Sequence, residues 1–159
     1  VGQHRPNAVS AQVLDTLLSH LAEATAVGAL TWDSKRSFLH TGQIQVQTRV
    51  QGCELGKLQV VVNDLAPSEP RCQYLVNDVP IRRLDVNDVH RPWPRRTHKH
   101  RYVPETGKDD AYIPDDIPDV PFGPTVAPGT YRRVFEAFAA ECWVTLPEGY
   151  WTERKGVAR

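Results

Sequence analysis

Three of the six histidines of this chain fall within one basic stretch, residues 81–102, which reads IRRLDVNDVHRPWPRRTHKHRY. His98 and His100 flank Lys99 in a segment whose residue types favour an extended backbone. Alternate side chains of a strand point to one face, so His98, His100 and Tyr102 share a face and Lys99 and Arg101 take the other. Two strand rises then separate the histidine Cα atoms by ~6–7 Å. That spacing suits two kinds of chemistry. In the first, a neutral imidazole removes a proton from a ribose 2′-hydroxyl, an imidazolium protonates the leaving oxygen, and an arginine or lysine balances the phosphate. In the second, the paired imidazoles hold a divalent metal ion together with a carboxylate such as Asp85 or Glu105. Histidine serves both because its ordinary pKa lies near neutrality. A bland alternative stands beside them: H-x-H is common on strands, and ring nitrogens are readily satisfied by backbone groups.

The formal net charge is zero, but the charge is unevenly laid out. Residues 79–108 carry eight Lys/Arg against three acids, and residues 109–121 carry five aspartates and no base. A basic block of this kind can meet phosphates, or it can simply neutralise the acidic block across a loop. Asp85 can cap a turn or pair with a neighbouring arginine, and His90 can bond a loop carbonyl. Trp93, between two prolines, reads as a hydrophobic plug or as a stacking platform for a base. His98-Lys99-His100 followed by Glu105 also has the H-x-H-x4-E spacing of the first cupin-barrel motif. The flanking glycines and the second histidine motif of cupins are absent, which leaves a metal-dependent cupin-like enzyme as a lesser alternative.

The order Arg83-Leu84-Asp85, then His90-Arg91, then His98-x-His100-Arg101-Tyr102, with a terminal helix carrying Phe135 and Phe138, resembles the TumE toxin-component family and related small bacterial proteins. The resemblance covers about residues 55–145. It implies a curved antiparallel sheet ending in a C-terminal helix, and a bacterial toxin–antitoxin-type protein acting on RNA as a ribonuclease-like hydrolase. It also implies neutralisation by a cognate antitoxin. Carried residue by residue, it makes Asp85, His90, His98 and His100 the candidate catalytic residues. Arg83, Arg91 and Arg101 become phosphate contacts, and Lys99 joins them as a substrate-binding candidate. The longer N-terminal region and the RPWPRR and DDIPDVPFGP insertions depart from that pattern. The main competing function is a non-catalytic binding or regulatory module working through a protein partner. No resident cofactor is expected, although a divalent metal at His98 and His100 is compatible with the residues.

The elements that must position these residues follow from periodicity. Asn7 or Ser10 can cap a first helix running to about residue 27, with Leu14, Leu17, Leu18 and Leu21 as its apolar stripe and Gly28 as its stop. Residues 29–32 and 38–40 suggest a short hairpin. Strict alternation over residues 43–51 predicts a half-buried strand, answered by a partner over 55–62. Further strands are expected at 72–76, 81–86, 97–102 and 111–113, with RPWPRR as a rigid loop because proline removes a ladder donor. Residues 114–128 read as an irregular proline- and aspartate-rich loop. Thr130 opens a final helix to about residue 143, its stripe made of Val134, Phe135, Phe138 and Cys142. The expected class is α+β: an N-terminal helix, a curved antiparallel meander of about five to seven strands, and a C-terminal helix packed on the sheet. Residues 1–145 form one domain, and 146–159 a tail in which Tyr150 and Trp151 dock. Three cysteines without a C-x-x-C pair predict free thiols in a reducing compartment, with a Cys53–Cys72 bridge as the alternative for an exported protein. No apolar run reaches membrane-spanning length and the N-terminal stretch lacks a signal-like apolar core, so a cytoplasmic protein is expected.

Overall fold

The computed structural model describes residues 9–156. Its centre is one seven-stranded sheet in strictly sequential order, every neighbouring pair antiparallel. The strands are β1 (Thr25–Arg36), β2 (Leu39–Gln47), β3 (Leu55–Asn63), β4 (Arg71–Val76), β5 (Val79–His90), β6 (Trp93–Val103) and β7 (Lys108–Tyr112). The sheet is open, since β1 and β7 do not pair. Two helices, α1 (Ala11–Leu17) and α2 (Thr130–Glu141), complete a mixed α+β fold. The short connections between strands are what an antiparallel meander requires.

Alternation built the sheet as expected. Ile44 and Val46 of β2, Leu58, Val60 and Val62 of β3, and Cys72, Tyr74 and Val76 of β4 are all at most 2% exposed. Leu84 and Val86 of β5 join the same apolar cluster, as do Val134, Phe135, Phe138 and Ala139 of α2. Burying each valine, leucine, isoleucine or phenylalanine of this cluster stabilises the fold by ~1.5–3 kcal/mol.

The first helix is shorter than its leucine stripe suggests. Ser10 caps it, its Oγ accepting from the Val13 N–H at 3.2 Å, and the helix ends at Leu17. Asn7, the other capping candidate, lies outside the described residues. Ser19 then starts a single 3₁₀ turn over His20–Ala22, which closes at Glu23 with φ of 45°. From Ala22 the buried positions become Ala22, Ala24 and Ala26, a period of two, and the chain enters β1. Leu21, placed on the helical stripe by spacing alone, is 64% exposed.

Residues 145–152 bond into the fold. The Thr145 N–H donates to the Ala24 carbonyl, the Ala26 N–H to Thr145, and the Leu30 N–H to Tyr150. The Trp32 indole N–H donates to the Thr152 carbonyl at 2.8 Å. This segment runs along β1 and satisfies backbone groups that an edge strand would otherwise leave open. Tyr150 is buried and Trp151 half-buried, which is the docking expected of them. Cys53, Cys72 and Cys142 are free and buried. No helix among the described residues is long and apolar enough to cross a membrane.

Candidate functional site

The site is written into the register of β5 against β6. Asp85 faces His98 and Arg83 faces His100, so these four side chains share one face of the sheet. Leu84 faces Lys99 on the other face, toward the core. On β4, Arg71 faces Asp85 and adds a fifth polar side chain to the first face.

Asp85, His98 and His100 are 4%, 2% and 5% exposed. One carboxylate oxygen organises them. Asp85 Oδ2 lies 3.5 Å from His98 Nε2, 3.3 Å from His100 Nε2 and 3.0 Å from Arg83 Nε. Asp85 Oδ1 lies 3.4 Å from Arg71 Nε, and Arg71 reaches on to Asp88 at 2.8 Å. Two guanidinium groups therefore balance a carboxylate that has little water around it.

The two imidazoles are held differently. His98 Nδ1 lies 2.9 Å from the Arg96 carbonyl, which can only accept, so that nitrogen carries the hydrogen. The Nε2 of a neutral His98 then presents a lone pair toward Asp85. His100 Nε2 accepts from an Arg83 amino group at 2.8 Å, since a guanidinium can only donate. Burial, and then the neighbouring Arg83 charge, hold the His100 pKa below the usual histidine range. A third ring covers the pair. His90 sits at the end of β5, its ring centre 5.0 Å from that of His98 and 4.9 Å from that of His100. Trp93, paired with His90 across the hairpin, packs at 5.6 Å against it and 6.3 Å from His98. The ladder is irregular between Asp85 and Asp88 and again between Asp88 and His90, and these irregularities let the hairpin end fold over the cluster.

No family model, curated protein or solved structure matches this chain.

The structure therefore gathers Asp85, His90, His98, His100 and Arg83 in one place. It sends the other candidates elsewhere. Lys99 is turned to the core face, 1% exposed, with its ammonium 2.7 Å from both oxygens of Asp116 and 3.8 Å from Glu141. Arg101 lies on that same side, near Asp110 and over the Tyr112 ring. Arg91 stands exposed at the hairpin tip. The basic and acidic blocks do meet, through Lys99–Asp116, Arg101–Asp110 and the longer Arg83–Asp109 contact of 3.9 Å. Glu105, the other carboxylate considered for a metal, is exposed beyond the end of β6. Arg71 was not visible from spacing, because only the β4–β5 register brings it to Asp85.

In chemical terms, ligand atoms of Asp85, His98 and His100 lie within 4.8 Å of one another. One carboxylate, two imidazoles and a guanidinium are the groups needed to move a proton and to meet an anion. The same imidazoles and carboxylate are also groups that can hold a metal.

Proposed function

We propose that this chain is an RNA-acting phosphodiesterase of the toxin-component kind, with Asp85, His98 and His100 as its centre and Arg83 as the phosphate contact. The supporting observation is the single carboxylate oxygen of Asp85 within 3.5 Å of both imidazoles, with Arg83 against the same oxygen. The likeness of the Asp–His–H-x-H order to the TumE family adds RNA as the substrate class and an antitoxin as partner.

The arrangement supports unlike roles for the two rings. His98, with Nδ1 committed to a backbone carbonyl and Nε2 facing a carboxylate, acts as the acid. His100 receives a hydrogen bond on Nε2 and acts as the base once Arg83 shifts from that nitrogen to the phosphate. The 2′-oxygen attacks phosphorus as its proton passes to His100, and the 5′-oxygen leaves with the proton of His98. A 2′,3′-cyclic phosphate is the product. Asp85 does not react; it orients both rings and stabilises the imidazolium. Substrate reaches the centre only after the His90–Trp93 hairpin end lifts. The exposed arginines near that end supply the first contact with a polyanion.

The near-complete burial of both rings favours a second reading, in which the cluster is a polar plug in a non-catalytic module. One experiment separates the two. Mixed RNA is incubated with the folded, partner-free protein, with His98→Ala and with His100→Ala, all in excess chelator. Cleavage by the wild type that falls by ~10²–10⁴ in both variants supports the enzyme. Equal RNA integrity in all three leaves only the module.

A further inference from the structure

With both rings neutral, lone pairs converge at the cluster. His98 Nε2 in the neutral ring and Asp85 Oδ2 are both acceptors, yet they face each other at 3.5 Å. His100 Nε2, also an acceptor, lies 3.3 Å from the same oxygen. His90 Nδ1 is buried and has no hydrogen-bond partner among the described residues. Converging lone pairs in a dry place repel unless a cation sits among them. Arg83 supplies part of that charge from one side, through Asp85 and His100, and leaves His98 and His90 without it.

The three rings also have a specific spacing. Their centres are 5.0, 4.9 and 5.0 Å apart, close to an equilateral triangle. A metal ion about 2.0–2.1 Å from each ligating nitrogen has the ring centres about 3.2 Å away, so tetrahedrally placed rings have centres about 5.2 Å apart and rings at right angles about 4.5 Å. The observed triangle falls between those limits, nearer the tetrahedral one. Aromatic packing also allows such separations, but two of the three rings also turn a nitrogen to within 3.5 Å of one Asp85 oxygen.

We propose that Asp85, His98 and His100, whose ligand atoms lie within 4.8 Å of one another, form a binding site for one divalent transition-metal ion of the zinc class, that the neighbouring His90 ring turns in as the fourth ligand when the ion binds, and that occupancy switches off the acid–base centre. Imidazole donors select zinc, cobalt, nickel or copper over magnesium and calcium, whose preference is for oxygen. The ion takes the nitrogen lone pairs that proton transfer needs. It also displaces Arg83 from His100 Nε2, because a guanidinium and a metal cannot share that nitrogen. Arg83 has somewhere to go: it is one-third exposed, and Asp109 lies 3.9 Å from its other amino group. The switching half of this inference rests on the catalytic reading above; the site itself does not.

The test uses the full chain stripped with chelator and titrated with zinc and with cobalt, read by calorimetry and by the visible absorption of the cobalt form. One equivalent binds, the cobalt spectrum has the intensity of a four-coordinate ion, and His90→Ala weakens binding at least tenfold. His90 is half-buried at a hairpin end, so this variant keeps the fold, as circular dichroism will show. Arg83→Met tightens binding, because it removes the competing cation. No saturable one-to-one binding, or binding indifferent to His90→Ala, overturns the site. In a parallel arm, one equivalent of zinc stops RNA cleavage and chelator restores it. Cleavage that requires zinc overturns the switch and the metal-free mechanism while leaving the site standing. Metal binding without cleavage under any condition removes the catalytic reading and the switch with it.

Discussion

Replacing Asp85 with alanine tests whether the polar cluster is held together by one buried charge. Its side chain is 6% exposed and meets Arg71, Arg83, His98 and His100. Removing one partner of a fully buried ion pair costs ~3–5 kcal/mol, because the other charge stays behind without compensation. Here the loss is softened. Arg83 is a third exposed with Asp109 in reach, and Arg71 keeps Asp88 at 2.8 Å. A cost of ~2–3 kcal/mol remains, which for a chain of this length is a fall in Tm of ~5–10 °C. Thermal unfolding followed by circular dichroism measures it, with Asp110→Ala as the control, since Asp110 is exposed and its one ion pair among the described residues is with the exposed Arg101. The control falls within ~2 °C of wild type. Adding Arg83→Met to Asp85→Ala recovers part of the loss, because the stranded cation is gone, and the double-mutant cycle shows a coupling of ~1 kcal/mol or more. An unchanged Tm for Asp85→Ala, or strict additivity of the two changes, refutes the idea that this carboxylate anchors the site.

Other outcomes follow from the same structure. Lys99→Ala lowers Tm by several degrees, because it removes a buried cation bonded to both oxygens of Asp116, yet it leaves RNA cleavage by the folded fraction and metal binding at the cluster unchanged. Trp93→Ala uncovers the rings, and diethyl pyrocarbonate modifies His98 and His90 faster in the variant than in wild type by mass spectrometry. Asp64 fastens the C-terminal segment through Arg154 and also bonds His40. Desolvation raises its pKa, but those hydrogen bonds outweigh it and the group sits below the usual aspartate value. Its folded-state pKa being depressed, its stabilising contribution is present above the unfolded value and is lost as pH falls through the folded one. Asp64→Asn therefore flattens the decline of Tm between about pH 5 and pH 3.

Much of this architecture is legible in the residues themselves. The alternation of Ile44, Val46, Leu58, Val60 and Val62 fixes two strands and their buried face without any other information. The parity of His98, Lys99 and His100 separates the cluster face from the core face, and β6 keeps that parity. The first helix is shorter than its leucine spacing suggests because Leu21 continues that spacing beyond Leu17, where the helix ends. Ser19 caps a new turn there, and tertiary burial of Ala22, Ala24 and Ala26 overrides the leucine pattern. The RPWPRR segment reads as a loop because of its prolines, but Trp93 already begins β6. Pro94 is tolerated because β7 pairs β6 only from Lys99 onward, leaving its first residues at an open edge. Arg71 and the folding of His90 over the histidine pair depend on strand register and on ladder irregularities. Those are properties of several strands at once, and no single stretch of sequence carries them.

We propose that Asp85, His98 and His100 cleave RNA by attack of its own 2′-hydroxyl. The most direct measurement compares an oligoribonucleotide with the same oligonucleotide carrying a single 2′-deoxy sugar at the cleaved position, both treated with partner-free protein in excess chelator. The first yields a 2′,3′-cyclic phosphate end and the second keeps its bond intact. Cleavage of both at equal rates, or of neither, contradicts it.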